Sequence, residues 1–180
     1  MKCAVVSVAA LIVGAMSGAP TIAFAQCTAS GAPASCGAPG SVSMTAGRVV
    51  QLQMNAGSTS LTAPTPADFD AGFNATTGPT LTVSANAAWT LHIRSVSAVW
   101  TGTNTSPGAP ARANKPAADL QWSTASNGVF AALTTSDANL VGGSATASDA
   151  TTLYFQTLYS WTLDTPGNYS LSIVLTLTSP

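Results

Sequence analysis

Hydrophobic and polar residues alternate along much of the chain, most clearly near its carboxyl end. Within the last stretch, residues 161–178, every second position from residue 169 onward is apolar, and the positions between them are mostly Ser and Thr. The apolar set comprises Tyr169, Leu171, Ile173, Leu175 and Leu177. Successive side chains of a strand point to opposite faces, so this pattern predicts a half-buried strand about ten residues long.

Shorter alternating runs, separated by turn residues, precede this strand. They cover residues 41–54, 58–63, 80–85, 89–94, 119–122, 128–133, 139–141 and 152–161. Trp89 and Trp161 alternate in phase with aliphatic residues, so we expect both in the core. Residues 67–78 are predicted to form a loop, and no helical pattern follows the first 25 residues. Such spacing predicts an all-β, antiparallel two-sheet sandwich of roughly nine to eleven strands.

The first 25 residues have the pattern of a secretory signal peptide. Lys2 gives a positive start, an apolar run follows, and Ala23, Phe24 and Ala25 form an A-x-A cleavage site. The apolar run is short for a membrane anchor, so no membrane span is expected. The sequence therefore predicts a secreted protein, located outside the cell, at its surface or in the periplasm.

After cleavage, the chain is expected to consist of a flexible segment, residues 26–40, and one β-sandwich domain, residues 41–180. The segment is rich in Ala, Gly, Pro and Ser and has no apolar periodicity. It contains Cys27 and Cys36. An even pair of cysteines in an exported chain predicts a disulfide between them.

Charged residues are scarce, at 6% of the chain, with 5 Lys and Arg against 6 acidic residues. An average globular protein has roughly 25%. The residues that usually cover helix surfaces are nearly absent, whereas Thr and Val favour strands. No basic patch is available for nucleic acid or anionic lipid.

Candidate catalytic and metal-binding residues are few. His92 is the single histidine and is expected on the outward face of a strand, and no G-x-S-x-G motif accompanies it. Asp68 and Asp70 offer two carboxylates, which could serve glycoside hydrolysis or, with Asn74, bind calcium through oxygens. Turn formation is the simpler role for these Asp residues. We therefore expect no catalysis and no cofactor.

Two tryptophans, Trp100 and Trp122, lie near predicted loop boundaries. If exposed, they would form an aromatic platform on which a sugar ring can stack. Packing in the core is the other interpretation, and the sequence leaves both open.

The residues Asp164, Pro166, Gly167 and Tyr169 form a turn that resembles the tyrosine corner of immunoglobulin-like domains. In those domains a tyrosine hydroxyl hydrogen-bonds back to the chain and fixes the turn. Leu171 stands where an antibody domain has its second cysteine, so the resemblance implies no disulfide between the sheets.

The chain also resembles bacterial WxL cell-surface domains over roughly residues 80–180. The resemblance rests on Trp89-Thr90-Leu91 and on a terminal Gly-x-Tyr-x-x-x-Ile run that ends near Pro180. The second Trp-x-Leu of that family is replaced here by Leu175-Thr176-Leu177. The resemblance implies non-catalytic attachment to a cell envelope.

These observations predict a secreted, non-catalytic structural or adhesive protein of a bacterial cell surface or extracellular assembly. Its expected partners are a cell-envelope polymer, a glycan or further copies of itself. One alternative is a carbohydrate-binding module that uses an exposed tryptophan. Another is a pilin-like subunit, because a sheet edge without a partner can accept a strand from another chain.

Overall fold

The computed structural model describes residues 29–32, 35–37, 40–104 and 111–180. The chain divides into two units, Met1–Thr45 and Ala46–Pro180. Within the first unit, the described residues are exposed and form neither helix nor strand. The predicted signal peptide and Cys27 lie outside the described residues. Cys36 is described and is not a free thiol, but its pairing with Cys27 stays a prediction.

All helices and strands of the described residues lie in the second unit. The strands are β1 (Val50–Met54), β2 (Phe73–Ala85), β3 (Trp89–Ser95), β4 (Thr101–Asn104), β5 (Leu120–Ser123), β6 (Ala131–Ala132), β7 (Ala138–Gly143), β8 (Thr146–Leu158), β9 (Gly167–Ser170) and β10 (Ile173–Thr178). One short helix, α1 (Pro66–Ala71), precedes β2, and a single 3-10 turn, Ala117–Asp119, precedes β5.

The strands form three antiparallel sheets. The largest has the order β1-β2-β8-β5-β6, the second has the order β10-β3-β7, and β4 pairs with β9 alone. Long-range pairing dominates: β2 pairs with β8 along most of its length, and β10 pairs with β3 over six residues, from Ile173 opposite Ser95 to Thr178 opposite Thr90. The predicted all-β, antiparallel sandwich is confirmed.

The core lies between the two larger sheets. On β3, burial alternates along the whole strand, with Trp89, Leu91 and Ile93 inside and the residues between them partly exposed. These side chains form one cluster with Leu81 of β2 and Leu153 of β8. Fully burying an aliphatic side chain of this size contributes about 1.5–3 kcal/mol, so period-two alternation on both sheets drives their packing.

The predicted ten-residue strand at the carboxyl end is wrong, because the structure divides it into β9 and β10. β9 pairs with β4, whereas β10 pairs with β3 in another sheet. The Ser172 carbonyl, between the two strands, accepts a hydrogen bond from the Val96 amide at 2.9 Å. Alternate side chains keep facing the core through the break, so the sequence pattern does not reveal that the chain changes its partner strand.

The loop predicted over residues 67–78 is also wrong, because the structure places α1 and the first residues of β2 there. Thr65 caps the helix, Pro66 occupies its first turn, and Gly72 ends it in the left-handed conformation, with φ at 82°. Proline at the start and glycine just past the end are common helix boundaries. A helix of six residues is too short to show a 3.6-residue period.

No helix among the described residues is both long enough and apolar enough to cross a membrane.

Candidate functional site

The four tryptophans are distributed differently from the sequence prediction. Trp89 is buried as expected, but Trp161 is 60% exposed, because β8 ends at Leu158 and Trp161 follows in a turn. Trp100 and Trp122 are only 7% and 8% exposed. The platform interpretation of these two residues is therefore wrong.

Both buried tryptophans pack in the core cluster. The Trp100 indole N–H donates to the Pro116 carbonyl at 3.1 Å. The Trp122 indole N–H has no partner among the described residues. A position near a loop boundary in the sequence does not show whether other segments cover its side chain. Here the packed sheets cover Trp100 and Trp122.

The acidic residues suggested for calcium have other partners. The Asp68 carboxylate accepts hydrogen bonds from the Thr65 amide and the Thr65 hydroxyl, both at 2.7 Å, at the start of α1. The hydrogen bond from the Thr65 amide, followed by the one from the Thr65 hydroxyl, lowers the pKa of Asp68 below its usual value. Asp70 accepts a hydrogen bond from the Trp161 indole at 3.0 Å. Within the described residues, no group of three His, Cys, Asp or Glu side chains could hold a metal ion, and Asn74 lies in β2.

His92 lies on β3 and is partly exposed. Its Nε2 is 3.5 Å from the Thr178 hydroxyl on the neighbouring β10. A serine or carboxylate in hydrogen-bond contact with His92, as a catalytic triad requires, is not found among the described residues.

The turn between β8 and β9 is held by Tyr169. Its hydroxyl donates to the Thr165 carbonyl at 2.7 Å and accepts from the Arg112 amide at 2.8 Å. Asp164 and Pro166 lie in the same turn, and Gly167 begins β9. A Cβ on Gly167 would lie 2.8 Å from the Thr103 carbonyl, so the chain needs glycine at this position.

Beside this turn lies an ion cluster, which we define as Arg112, Lys115, Asp119 and Asp164. Each cation contacts both carboxylates, at distances of 2.8–3.1 Å. The Lys115 and Asp164 side chains are only 3% and 6% exposed. Lys115 also donates to the Leu158 carbonyl at 2.9 Å. Two positive and two negative charges balance, so the cluster is formally neutral.

Contacts within the ion cluster shift the pKa of Asp164 and of Arg112. Burial by itself would raise the pKa of Asp164, but hydrogen bonds from Lys115 and Arg112 outweigh it, and this pKa lies below its usual value. Burial likewise disfavours the charged guanidinium of Arg112, yet its contacts with Asp164 and Asp119 raise its pKa. Asp164 and Arg112 therefore both stay charged at neutral pH.

Next to the ion cluster lies an aromatic cluster, which we define as Phe69, Tyr159 and Trp161. Phe69 of α1 stacks on Trp161, with ring centroids 4.6 Å apart and planes inclined by 29°. Phe69 also contacts Tyr159, with centroids 5.4 Å apart. The Lys115 ammonium lies 5.4 Å from the centre of the Tyr159 ring. Burial, together with the charges of Asp164 and Asp68, raises the pKa of Tyr159.

A groove of about 950 Å³ opens between the outer edges of the two larger sheets. We call it the edge groove. One wall consists of Leu52 and Met54 of β1 with residues 56–61, and the other consists of residues 169–173 with Leu175. Core side chains also line it, namely Trp100, Leu120 and Phe155. The lining therefore combines apolar side chains with Ser and Thr, and it contains no charged residue.

Both walls of the edge groove include a strand at the edge of its sheet. Among the described residues, β1 pairs only with β2 and β10 pairs only with β3. The first residue of β1 faces Ala85 and the last residue of β10 faces Thr90, so these ends lie near the turn from β2 to β3. Residues 56–61 and 169–173, which also line the edge groove, lie toward the opposite end.

Comparison with protein-family models finds no family that matches the chain, and comparison with curated proteins finds no relative. The resemblance to WxL domains and to immunoglobulin-like domains therefore stays a prediction from short motifs.

Sequence reasoning missed the edge groove, the ion cluster and the aromatic cluster around Trp161. One feature of the sequence pointed to the ion cluster. Only 6% of the residues are charged, so each Lys or Arg in the chain is a candidate for a specific ion pair. The partners of Lys115 are 4 and 49 residues away in sequence. No local pattern pairs the second of them with Lys115.

Proposed function

We propose that this chain is a secreted, non-catalytic structural protein whose copies join into an assembly at a bacterial cell surface or outside the cell. The edge groove supports this proposal, because it lies between two edge strands that have no second partner among the described residues. Open edges of this kind accept an added strand, with backbone hydrogen bonds giving affinity and side-chain pockets giving specificity.

The occupant that fits best is the segment around residues 41–46 of a second copy. Val42 is fully exposed and Met44 is 88% exposed, and neither belongs to a strand. Val42, Met44 and Ala46 are spaced two residues apart, as are Leu171, Ile173 and Leu175 on one wall of the edge groove. In an extended segment these three side chains share one face, which can enter the edge groove.

Charge also favours this pairing. The lining of the edge groove contains no charged residue, and residues 41–46, SVSMTA, contain none either. A segment that enters the edge groove of the next copy forms a head-to-tail interface. Such interfaces continue into filaments when the rotation between copies does not close a ring.

The oligomeric state of the mature protein, residues 26–180, tests the proposal. Sedimentation velocity at increasing concentration should show dimers and larger species. The double variant Val42→Ser/Met44→Ser should shift the protein toward monomer, because it removes the two apolar side chains that enter the edge groove. Val129→Ser provides the matched control, since Val129 is 94% exposed and does not line the edge groove.

A peptide of residues 40–47 provides a second test, in trans. It should bind the double variant and change the fluorescence of Trp100, which lines the edge groove. The same peptide with serine in place of Val42 and Met44 should not bind. The proposal would be contradicted if the mature protein stays monomeric at millimolar concentration and the double variant does not bind the peptide.

The absence of catalysis is part of the same proposal. His92 contacts a threonine, and Asp68 holds the start of a helix. Hydrolysis of any substrate that is lost in His92→Ala or Asp68→Ala would overturn this part, while leaving the assembly to be judged by sedimentation.

A further inference from the structure

Trp161 is the most exposed tryptophan of the described residues, yet its ring is held in place. One face stacks on Phe69, and the indole N–H donates to Asp70 at 3.0 Å. Phe69 and Asp70 both belong to α1, which is fixed at its start by the Thr65–Asp68 hydrogen bonds and at its end by Gly72. The indole thus presents a face of fixed orientation to solvent.

The aromatic cluster borders a cavity of about 660 Å³. Cavities of roughly 300–1,000 Å³ are typical of small-molecule sites. Most of the remaining lining residues come from two segments, residues 61–64 and 164–169, and Trp100, Lys115 and Thr157 complete the lining. They include polar side chains, among them Thr62 and the exposed Asn168, which can hydrogen-bond a ligand that stacks on the aromatic rings.

The charges around this cavity favour an uncharged ligand. Lys115 and Asp164 both line it, but each is paired within the ion cluster. Arg112 and Asp119 complete that pairing. A charged ligand would compete with ion pairs of 2.8–3.1 Å that are mostly screened from water, whereas a neutral one would not.

We propose that this cavity binds a neutral glycan, with the apolar face of a sugar ring stacked on Trp161 and its hydroxyls bonded to Asn168 and Thr62. Aromatic rings suit this role because they combine a large apolar face with polar groups at the edge. The cavity borders the edge groove, because Leu61, Trp100 and Tyr169 line both, but Trp161 lines only the cavity. An assembling protein with such a site would hold a polysaccharide without cleaving it.

Titration calorimetry with a panel of neutral hexasaccharides, built from glucose, N-acetylglucosamine, mannose or galactose, tests the proposal. At least one should bind the mature protein. Trp161→Ala should weaken that binding by about tenfold or more, equivalent to about 1.4 kcal/mol. Trp161→Phe should weaken it less, because a flat ring remains. Leu163→Ala is the matched control, since Leu163 is 53% exposed in the same turn and does not line the cavity.

Asp70→Ala tests the fixed orientation of the ring. It removes the acceptor of the indole N–H without touching the cavity lining, so affinity should fall severalfold while circular dichroism stays unchanged. The proposal is overturned if no hexasaccharide of the panel binds at millimolar concentration, or if Trp161→Ala binds as the unaltered protein does. Sedimentation of Trp161→Ala should match that of the unaltered protein, so failure here leaves the assembly proposal standing.

Discussion

Replacing Lys115 with methionine should destabilise the domain strongly, because it breaks the ion cluster from within. The Lys115 side chain is 3% exposed and donates hydrogen bonds to Asp119, Asp164 and the Leu158 carbonyl. Methionine has a similar length and no charge. The substitution therefore leaves two carboxylates with Arg112 as their single cation and leaves one carbonyl without its donor.

The expected loss follows from the burial of these groups. Removing one partner of a buried ion pair destabilises by about 3–5 kcal/mol, because the other charge stays buried without compensation. Domains are typically stable by roughly 5–15 kcal/mol, so the loss is a large fraction of the total. In a domain of this size, a melting temperature lower by roughly 10–15 °C corresponds to such a loss.

Urea unfolding followed by tryptophan fluorescence measures this loss directly. Arg94→Met is the control: Arg94 pairs with Asp137 at 3.4 Å, but the two side chains are 37% and 52% exposed. Exposed pairs contribute about 0–1 kcal/mol. If Lys115→Met loses no more than Arg94→Met, the ion cluster does not stabilise the fold as argued.

A double-variant cycle sharpens the same test. Lys115→Met/Asp164→Asn should be less destabilised than the two single losses added together, because the double variant buries neither charge unpaired. Coupling of at least about 1 kcal/mol is expected for residues in direct contact. Additive losses would show that the two residues act independently.

Three further predictions concern pH, packing and the turn before β9. The pKa of Asp164 is lower in the folded state than its unfolded value of about 3.9. The stabilisation from the charged Asp164 is therefore complete above the unfolded pKa and is lost as the pH falls through the folded pKa. Urea unfolding between pH 6 and pH 2 should show this loss of stability, and the loss should be smaller in Asp164→Asn. Gly78→Ala should destabilise by about 1–3 kcal/mol, because its Cβ would lie 2.6 Å from the buried Phe155 ring, whereas Gly57→Ala, with open space around it, should melt like the unaltered protein. Tyr169→Phe should cost about 1–3 kcal/mol in thermal unfolding, since two hydrogen bonds to the backbone are lost; an unchanged melting temperature would show that the hydroxyl does not hold the turn.

The expectation of an all-β sandwich came from features that are local in sequence. Side chains alternate along β3 and along β8, and Glu is absent, so each segment carries its own evidence for a strand. The same local evidence failed at α1, which is too short for its period to appear. It also failed at Trp161, because the pattern gives the phase of a strand but not the residue at which the strand ends.

The sites depend on contacts between distant segments, and local patterns carry no record of them. Trp161 meets Asp70 across 91 residues, and Lys115 meets Asp164 across 49. The edge groove depends on which strand lies at each sheet edge, and pairing between strands that are not neighbours in sequence contributes to that order. The sequence by itself determined that many short segments are extended and bury alternate side chains, because the two-residue period of a strand is visible in its own few residues. Only the tertiary structure decided which strands lack a partner, which charges are buried together and which tryptophan faces water, because these depend on how the sheets pack.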